Sequence, residues 1–313
     1  MSQVSYITIA PNDEGQRLDN YLIRTLKGVP KSHFYRIIRQ GEVRINKKRA
    51  KPSTKLHAHD VLRVPPIRVS ANKHIHVSQS TITLLKQSII AENEYFMVLN
   101  KPAGMAVHGG SGLSLGVIEA LRQWRTELSY LELVHRLDKE TSGCLLIAKK
   151  RRVLKELQRQ FAERLVKKTY WALVHHTWLE SKQVTVDKPL YKNTLSSGER
   201  MVVVSEQGKA SLTHIHLLEN FEYYALLSVL PQTGRTHQIR VHCAYLKHPI
   251  VGDLKYIQAD ALKQDELNKA RLHLHAYSIQ FNLDNNMYKY DANLDKAFAG
   301  TLNRLRLGSN STS

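Results

Sequence analysis

The sequence has few cysteines, few acidic side chains and no long apolar stretch, and each shortage excludes a class of protein. Only Cys144 and Cys243 occur in 313 residues, both among apolar neighbours, which argues against a disulfide scaffold and suits a reducing cytosol. No segment approaches the ~20 apolar residues of a membrane-spanning helix. The start, Met1 to Ser5, lacks the basic-then-apolar layout of a signal peptide. We therefore expect a cytoplasmic protein without a membrane partner.

Positive charge, in contrast, is abundant and unevenly spread. The chain has 46 Lys and Arg against 27 Asp and Glu, a formal net charge of +19. Residues 1–70 hold 14 of these basic residues against 5 acidic ones, and so carry +9 of the total. A bias of this size favours a polyanionic partner such as nucleic acid, although a generally basic surface is the simpler alternative. The distribution predicts a nucleic-acid-binding module at the N-terminus.

The pattern of residues 13–75 predicts a small α/β domain with one basic side. A first helix has an apolar face formed by Leu18, Tyr21, Leu22 and Leu26. A second helix buries Phe34, Ile37 and Ile38, and two short strands near residues 43–45 and 61–64 follow. The outward-facing cations of the second helix and of the turn after the first strand are the predicted RNA contacts: Lys31, Arg36, Arg39, Lys47, Lys48 and Arg49.

From Tyr95 onward, short apolar runs rich in β-formers are separated by Gly and Pro, with two helical patterns among them. One helix is predicted over residues 152–164, and another from Thr236 to just before Pro249. Strands dominate without a regular βαβ alternation, which predicts an α+β domain on a mixed, largely antiparallel sheet with flanking helices. The resulting division is an RNA-binding domain at 13–75, a linker at 76–90, a catalytic domain at 91–300 and a polar tail at 301–313.

The strongest local motif runs from Val134 to Gly143 and places Asp138 on a loop between two apolar runs. Its neighbours His135, Arg136 and Lys139 are expected to hold the carboxylate ionised, the state that a nucleophile or general base requires. The alternative is a turn cap or a solvated surface ion pair, which is the usual role of a charged loop residue.

A second basic motif runs from Gly234 to His242. Thr236 is the predicted N-cap of a helix, and His237 and Arg240 are expected one turn apart on nearly the same face. An arginine fixed on a helix can pair with a carboxylate through its two-pronged guanidinium edge. The simpler alternative is a solvent-facing basic helix start.

Both motifs resemble signatures of one enzyme family. His135 to Gly143 is similar to the HRLDxxTSG element, and Gly234 to His242 to the GRTHQIRVH element, of the RluA-type pseudouridine synthases. Residues 98–104, 168–170 and 272–276 fit further family elements in order, and the N-terminal domain resembles the S4 RNA-binding fold. Residues 108–119 are especially similar to the C branch of the family's ribosomal large subunit enzymes, which act on 23S rRNA, while the related D branch stays open.

The resemblance implies roles for individual residues. Asp138 matches the catalytic aspartate, Tyr170 the active-site tyrosine, Arg240 the arginine that pairs with the aspartate, and Arg136 the side chain that replaces the flipped base. Arg235 and His237 are taken as further RNA contacts. The implied reaction uses no cofactor and no metal, and a monomer that binds 23S rRNA is the expected working form. One departure is the segment Asp284 to Tyr288, which replaces the family's usual turn of the last hairpin.

The reaction that the resemblance implies breaks the N1–C1′ bond of a uridine and rejoins the base through C5, after the nucleotide has been flipped out. The carboxylate would attack C1′, attack C6 or assist sugar deprotonation; the sequence does not choose among these routes. Two other functions fit the same residues: a non-catalytic rRNA-binding assembly factor, and an RNA-cleaving or glycosylase-type enzyme. Two weaker patterns are set aside. The glycines at 109–112 lack the Gly-Lys-Ser/Thr ending of a phosphate loop, and the paired histidines lack a third metal ligand.

Overall fold

The structure, a computed structural model, describes residues 3–26, 28–67, 76–109, 115–194, 200–257, 265–269 and 271–309. The chain divides into two compact units, residues 1–76 and residues 77–313. The boundary after residue 76 lies close to the predicted end of the small domain, and each unit has its own apolar core.

The first unit combines two helices with a four-stranded antiparallel sheet. Its helices are α1 (Leu18–Thr25) and α2 (Lys31–Arg39), and its strands are β1 (Ser5–Thr8), β2 (Arg44–Ile45), β3 (Lys48–Arg49) and β4 (Val61–Val64). The strand order is β1-β4-β2-β3. The apolar faces predicted for both helices are buried in one cluster, so this part of the prediction is confirmed. Strand β1, at the edge of the sheet, was missed because its four residues contain only two strongly apolar side chains.

The turn between β2 and β3 explains where two of the predicted RNA contacts lie. Asn46 and Lys47 have positive φ angles of 48° and 67°, and Ile45 pairs directly with Lys48. Two consecutive residues with positive φ form the tight hairpin turn whose twist matches that of the flanking strands. The turn therefore projects Lys47 and Lys48 into solvent at the tip of a hairpin.

The second unit is built on a ten-stranded sheet flanked by helices. The remaining helices are α3 (Gln79–Gln87), α4 (Val117–Trp124), α5 (Arg151–Ala162), α6 (Gln238–Tyr245) and α7 (Lys296–Ser309). The first strands are β5 (Ile89–Glu92), β6 (Phe96–Lys101), β7 (Glu132–Leu133), β8 (Ser142–Ala148) and β9 (Lys167–His175). The others are β10 (Gln183–Asp187), β11 (Leu190–Thr194), β12 (Arg200–Val204), β13 (Leu212–Asn220), β14 (Tyr224–Pro231), β15 (Leu274–Leu283) and β16 (Asn286–Asp291).

The sheet follows the order β10-β13-β14-β9-β15-β8-β6-β5, with β16 paired to β15 and β7 to β8. Its pairings are antiparallel except for the parallel contact between β15 and β8. Strands β11 and β12 form a separate hairpin. The predicted α+β class, with a mixed and largely antiparallel sheet, is confirmed.

Helices cover both faces of the sheet, which accounts for its continuous apolar runs. Along β6, Met97 and Leu99 pack into a cluster with α3 and α4. Phe96 and Val98 point the opposite way, into a cluster with α5. This alternation follows from the two-residue period of a strand. Elsewhere, α6 packs on β9 and β14 from one side, and α7 packs on the same strands from the other.

The structure differs from the prediction at the linker and at the tail. Residues predicted as a linker form α3, capped by the Ser78 hydroxyl, and the start of β5. Only Leu85 of α3 is fully buried, so the helix has little of the periodicity by which a sequence pattern is read. Residues 301–309 are helical rather than a tail, because Phe298 and Leu302 anchor α7 on the sheet; residues 310–313 lie outside the described part.

The last hairpin forms despite its departure from the family's usual turn. Asp284 and Asn285 adopt positive φ angles of 50° and 62°, and Leu283 pairs with Asn286. Asn and Asp tolerate this conformation better than other non-glycine residues. A two-residue turn therefore replaces the family's turn. Within the described residues, no helix has the length and apolarity needed to span a membrane.

Candidate active site

A cavity of about 310 Å³ brings the two sequence motifs together. Its walls come from the loop between β7 and β8, from β9, and from the segment between β14 and α6. The predicted residues Arg136, Asp138, Tyr170, Arg235, His237 and Arg240 all line it. This volume falls at the lower end of the range of small-molecule sites. Asp138 is the single acidic side chain among the lining residues that the structure describes.

His135 and Leu137, the residues on either side of Arg136, anchor the loop that carries Arg136 and Asp138. Leu146 N–H donates to Nε2 of His135 at 3.1 Å, and the His135 ring stacks on Phe161 with 4.9 Å between centroids. Burial lowers the pKa of His135 to about 3, so this imidazole is neutral. Leu137 is buried in the core. The prediction that His135 helps to keep Asp138 ionised is therefore wrong, because its ring is neutral and serves to fix the loop.

Lys101 anchors Lys139, the residue that follows Asp138 in the loop. Its side chain is fully buried, and Nζ donates to the carbonyl oxygens of Pro102, Met105 and Lys139 at 2.8, 2.8 and 3.0 Å. Burial lowers the pKa of Lys101 to about 7, with Glu140 opposing that effect. The contact with Lys139 ties the loop to the end of β6. Asp138 thus lies between two fixed residues, and its side chain is 27% exposed.

Two groups of the second motif face the Asp138 carboxylate. Arg240 Nη1 lies 3.9 Å and His237 Nε2 lies 3.8 Å from Oδ2 of Asp138. The predicted proximity of Arg240 and Asp138 is present, but the two guanidinium nitrogens that form a bidentate pair, Nε and Nη2, bind a different carboxylate. Arg240 Nε and Nη2 donate to Oδ2 and Oδ1 of Asp253, each at 2.7 Å. Asp253 is only 1% exposed, so the two-pronged pair is buried.

The helix start also differs from the prediction. His237, rather than Thr236, occupies the N-cap position, with φ 53° and ψ 20° in the left-handed region. A non-glycine residue in that region is strained, and such strain collects at functional sites. Gln238 stabilises the turn, because its Oε1 accepts from Thr233 Oγ1 and Arg235 N–H at 2.7 and 3.0 Å. The strained backbone aims the His237 ring at Asp138.

Tyr256 lies behind both groups. Its hydroxyl is 2.7 Å from Nδ1 of His237, and its ring centroid is 5.0 Å from Cζ of Arg240. Burial lowers the pKa of His237, an effect that the charge of Asp138 opposes. Burial also raises the pKa of Tyr256 to about 12. At neutral pH the two rings are therefore a neutral imidazole beside a neutral phenol.

Tyr170 forms the floor of the cavity from the middle of the sheet. It pairs with Val229 of β14 and lies where two apolar clusters meet. Burial, followed by the negative charge of Asp138, raises the pKa of Tyr170. The residue therefore presents an aromatic face and a neutral hydroxyl. Lys168, two positions earlier on the same face of β9, also lines the cavity, and burial lowers its pKa.

The cations predicted to contact RNA fall into two groups. Arg136 and Arg235 are exposed side chains that line the cavity. The other six are exposed on the first unit: Lys31, Arg36, Arg39, Lys47, Lys48 and Arg49. Within the described residues, no cluster of three His, Cys, Asp or Glu side chains has the arrangement of a metal site.

The sequence assigned no role to Asp253 or Tyr256, nor to Lys168 and Lys101 within the segments that fit the family. A signal for Asp253 was present, because an acidic residue follows the apolar run from Pro249 to Gly252. Gly252 has φ 82°, and a Cβ there would overlap the backbone of Arg271. Only glycine fits this close approach. No local pattern marks Tyr256, because its side-chain contacts with His237 and Arg240 join residues distant in the sequence.

Comparison with known protein families agrees with this geometry. The family model "RNA pseudouridylate synthase" matches residues 95–245, and the "S4 domain" model matches residues 16–62. The first match spans both sequence motifs and every wall of the cavity except Leu274. The second spans both helices and the hairpin of the first unit.

Close relatives match along nearly the whole chain. A protein of Pasteurella multocida (strain Pm70) named "Ribosomal large subunit pseudouridine synthase C" is 54% identical over 89% of this chain and 86% of its own length. Proteins of the same name from Haemophilus influenzae and Escherichia coli (strain K12) are 49% and 46% identical. Both matches cover 97% of this chain. They cover 96% of the Haemophilus influenzae protein and 97% of the Escherichia coli protein.

Solved structures agree on the fold of the second unit. "Human RNA Pseudouridylate Synthase Domain Containing 4" superimposes with a TM-score of 0.60 and 28% identity, over 72% of this chain and 95% of its own. "Human RNA Pseudouridylate Synthase Domain Containing 1" gives a TM-score of 0.56 and 27% identity, over 70% and 94%. With both signatures gathered around one cavity, the chain belongs to the RNA pseudouridylate synthase family and is an RNA pseudouridine synthase with an N-terminal S4 domain.

Proposed function

We propose that this protein converts uridines of 23S rRNA, the RNA of the large ribosomal subunit, to pseudouridine, with Asp138 as the catalytic carboxylate. The observation that carries the proposal is the position of Asp138. It is the one acid among the described lining residues of the cavity, and Arg240 and His237 face its Oδ2. The names of the relatives from three bacteria support a substrate in the large ribosomal subunit.

The reaction is an isomerisation and needs no oxidant or reductant. The N1–C1′ bond breaks, the base turns, a C5–C1′ bond forms, a proton leaves C5 and a proton is gained at N1. Attack by Asp138 on C1′, its attack on C6 and its assistance to sugar deprotonation all require an ionised and aimed carboxylate. Arg240, held by Asp253, places a fixed positive charge 3.9 Å from Oδ2 of Asp138.

Tyr170 supplies the aromatic face on which the uracil stacks and a hydroxyl whose oxygen receives the C5 proton as its own proton leaves towards N1. The negative charge of Asp138 is one cause of the raised Tyr170 pKa. When that charge is consumed in a bond to the substrate, this cause disappears and the Tyr170 hydroxyl gives up its proton more readily. Arg136, exposed beside the cavity, takes the place of the flipped base in the RNA stack.

The test is a map of pseudouridine in the rRNA of cells that lack the gene and carry it back as variants. Carbodiimide labelling makes reverse transcriptase stop at pseudouridines. We expect specific 23S stops to be lost without the gene, restored by the wild-type chain and not restored by Asp138→Asn. Glu140→Gln is the matched control, because Glu140 is an exposed acid on the same loop.

The binding of Asp138→Asn to rRNA should equal that of the wild-type chain. Stops that are unchanged without the gene would contradict the proposed substrate. Stops restored by Asp138→Asn would contradict the proposed catalytic residue and leave a non-catalytic assembly role. We further propose that the enzyme is cytoplasmic and monomeric. Its two free, buried cysteines support a reducing compartment. A mass measurement by light scattering tests the monomer.

A further inference from the structure

A chain of polar contacts leads from strand β12 to the carboxylate of Asp138. Val202 N–H donates to the Tyr256 hydroxyl oxygen at 3.3 Å. That hydroxyl lies 2.7 Å from Nδ1 of His237. Nε2 of the same ring faces Oδ2 of Asp138 at 3.8 Å. Tyr256 therefore touches the ring that faces Asp138 without touching Asp138 itself.

The two ends of this chain fix the direction of its protons. A backbone amide only donates, and an ionised carboxylate only accepts. Because Val202 N–H already donates to the Tyr256 oxygen, the hydroxyl proton is free to be donated to Nδ1 of His237. Because Nε2 faces an acceptor, it is the nitrogen that carries the imidazole proton. The Asp138 end selects the tautomer of His237 with the proton on Nε2, and the Tyr256 hydroxyl can donate to the Nδ1 that this tautomer leaves unprotonated.

The protonation of both rings is set by burial, so the choice that is left is which nitrogen of His237 carries the proton. Burial raises the pKa of Tyr256 to about 12 and lowers that of His237, so both are neutral at neutral pH. In the opposite tautomer, the Nε2 lone pair would face the carboxylate of Asp138 and repel it. A hydrogen bond of about 3 Å needs a shift of less than about 1 Å from the present distance, the kind of tightening that occurs when substrate binds.

Tyr256 also supports the second group that faces Asp138. Its ring centroid lies 5.0 Å from Cζ of Arg240, and the His237 ring meets it edge-on at 5.6 Å. The backbone N–H of Tyr256 donates to the backbone carbonyl of Asp253 at 3.2 Å. The carboxylate of the same Asp253 holds the Arg240 guanidinium. One aromatic residue thus contacts both His237 and Arg240.

We propose that Tyr256 is a positioning residue for catalysis: its hydroxyl selects the His237 tautomer that donates from Nε2 to Asp138, and its ring supports Arg240. The proposal rests on the proposed role of Asp138. It predicts that the hydroxyl acts on turnover rather than on RNA binding, since the contacts run to the carboxylate and not to the mouth of the cavity.

The first experiment compares Tyr256→Phe with Tyr245→Phe in the full chain. The phenylalanine ring keeps the packing of Tyr256, so only the hydroxyl is lost, while Tyr245 is a half-exposed tyrosine of α6. Tritium release from unmodified 23S rRNA carrying [5-³H]uridine measures turnover. We expect Tyr256→Phe to lower kcat about tenfold, the rate equivalent of one hydrogen bond, with KM unchanged. Tyr245→Phe should match the wild-type chain. An unchanged kcat, or a change confined to KM, would overturn the proposal.

The second experiment separates tautomer control from a general structural effect. A glutamine at position 237 offers an amide N–H close to the place of Nε2–H and has no tautomer to select. His237→Gln should therefore keep more turnover than His237→Ala, and adding Tyr256→Phe to His237→Gln should cause no further loss. An equal loss from Tyr256→Phe in both the wild-type and the His237→Gln backgrounds would refute tautomer control.

Imidazole ¹⁵N shifts of His237 provide a direct reading that does not depend on activity. We expect the Nε2–H form in the wild-type chain and a mixture of forms in Tyr256→Phe. Persistence of the Nε2–H form in that variant would reject the role of the hydroxyl. A wild-type chain that releases no tritium from the rRNA would contradict the proposed function, and the NMR result would still decide the tautomer question.

Discussion

Arg240 gives its two-pronged edge to Asp253, with Nε–Oδ2 and Nη2–Oδ1 both at 2.7 Å, and leaves only Nη1 to face Asp138. The pair is buried, because Asp253 is 1% and Arg240 9% exposed. A buried guanidinium satisfied by one carboxylate cannot swing towards another without leaving the first unpaired. Arg240 is therefore a fixed charge beside Asp138, which stays free to meet a substrate.

This division of contacts predicts that Arg240→Lys impairs turnover. A lysine has one nitrogen and cannot keep the Asp253 pair and also present a charge to Asp138. We expect kcat to fall by roughly 100-fold, the lower end of the scale of losing a fixed donor at a reacting centre. Tritium release measures it, with RNA affinity unchanged as the control. Turnover close to that of the wild-type chain would contradict the division of contacts.

Loss of the Asp253 carboxylate should affect stability as well. Asp253→Ala leaves a buried guanidinium without its main partner, and breaking such a pair lowers the free energy of unfolding by about 3–5 kcal/mol. The control is Asp284→Asn, which removes the ion pair with Arg152 at 3.0 Å between half-exposed side chains and keeps a residue that tolerates the positive φ of this turn. That change should lower the same free energy by about 0–1 kcal/mol. Urea unfolding of both variants measures the difference, and similar values for both would argue against a structural role for Asp253.

These two predictions mark where sequence patterns stop being informative. The helices of the first unit were predicted because Phe34, Ile37 and Ile38 repeat with the period of a helix face. Asp138 and Arg240 were found because each lies in a specific motif. The bidentate partner of Arg240 was misjudged, although its ion pair with Asp138 was predicted correctly. Bidentate pairing depends on where two segments meet in space, and Asp253 lies on a turn 13 residues away. The neutral state of His135 likewise follows from burial, which the charged residues around it in the sequence do not indicate.

Tyr170→Phe should separate stacking from proton transfer. The variant keeps the aromatic face and loses the hydroxyl, so RNA affinity and KM should stay near those of the wild-type chain. We expect kcat to fall by roughly 100-fold or more, the contribution of a positioned general base. Tyr170→Leu, which loses the face too, should also raise KM. If Tyr170→Phe has normal turnover, the hydroxyl is not the C5 proton acceptor.

Buried neutral histidines predict that stability falls in mild acid. Burial lowers the pKa of His273 and of His275 to about 4, and that of His135 to about 3. Because the unfolded chain takes up these protons near pH 6.5 and the folded chain does not, their stabilising contribution is complete above pH 6.5. It is lost as pH falls from 6.5 to about 4, by up to about 1.4 kcal/mol per pH unit for each histidine.

Urea unfolding between pH 7 and pH 4 measures this slope. His275→Gln should have a shallower slope than the wild-type chain, whatever its stability at pH 7. His76→Gln is the control, because it replaces an exposed histidine in place of a buried one. A slope in His275→Gln as steep as that of the wild-type chain would show that His275 does not stay neutral in the folded state.

The basic surface of the first unit predicts a specific change in salt dependence. Lys47→Ala with Lys48→Ala removes two exposed cations at the tip of the β2–β3 hairpin. If both contact phosphates, RNA affinity should fall, and the slope of log affinity against log salt should become shallower by about 0.7–0.9 for each lost contact. Lys289→Ala with Lys296→Ala, which removes two exposed lysines of the second unit, is the control. Equal slopes in both pairs would remove the hairpin from the RNA interface.

The anchoring of the loop before β8 alternates along the chain, and this constrains how the loop can change in evolution. Position 135 is held by Leu146 N–H, position 137 by the core and position 139 by Lys101. The even positions between them, Arg136 and Asp138, are the ones left to act on a substrate. Inserting or deleting one residue between Leu137 and Lys139 would move the carboxylate out of step with these anchors. We therefore expect the loop to lose its function by a change of length of one residue even when its composition is kept, whereas a substitution at position 136 or 138 leaves the anchors in place.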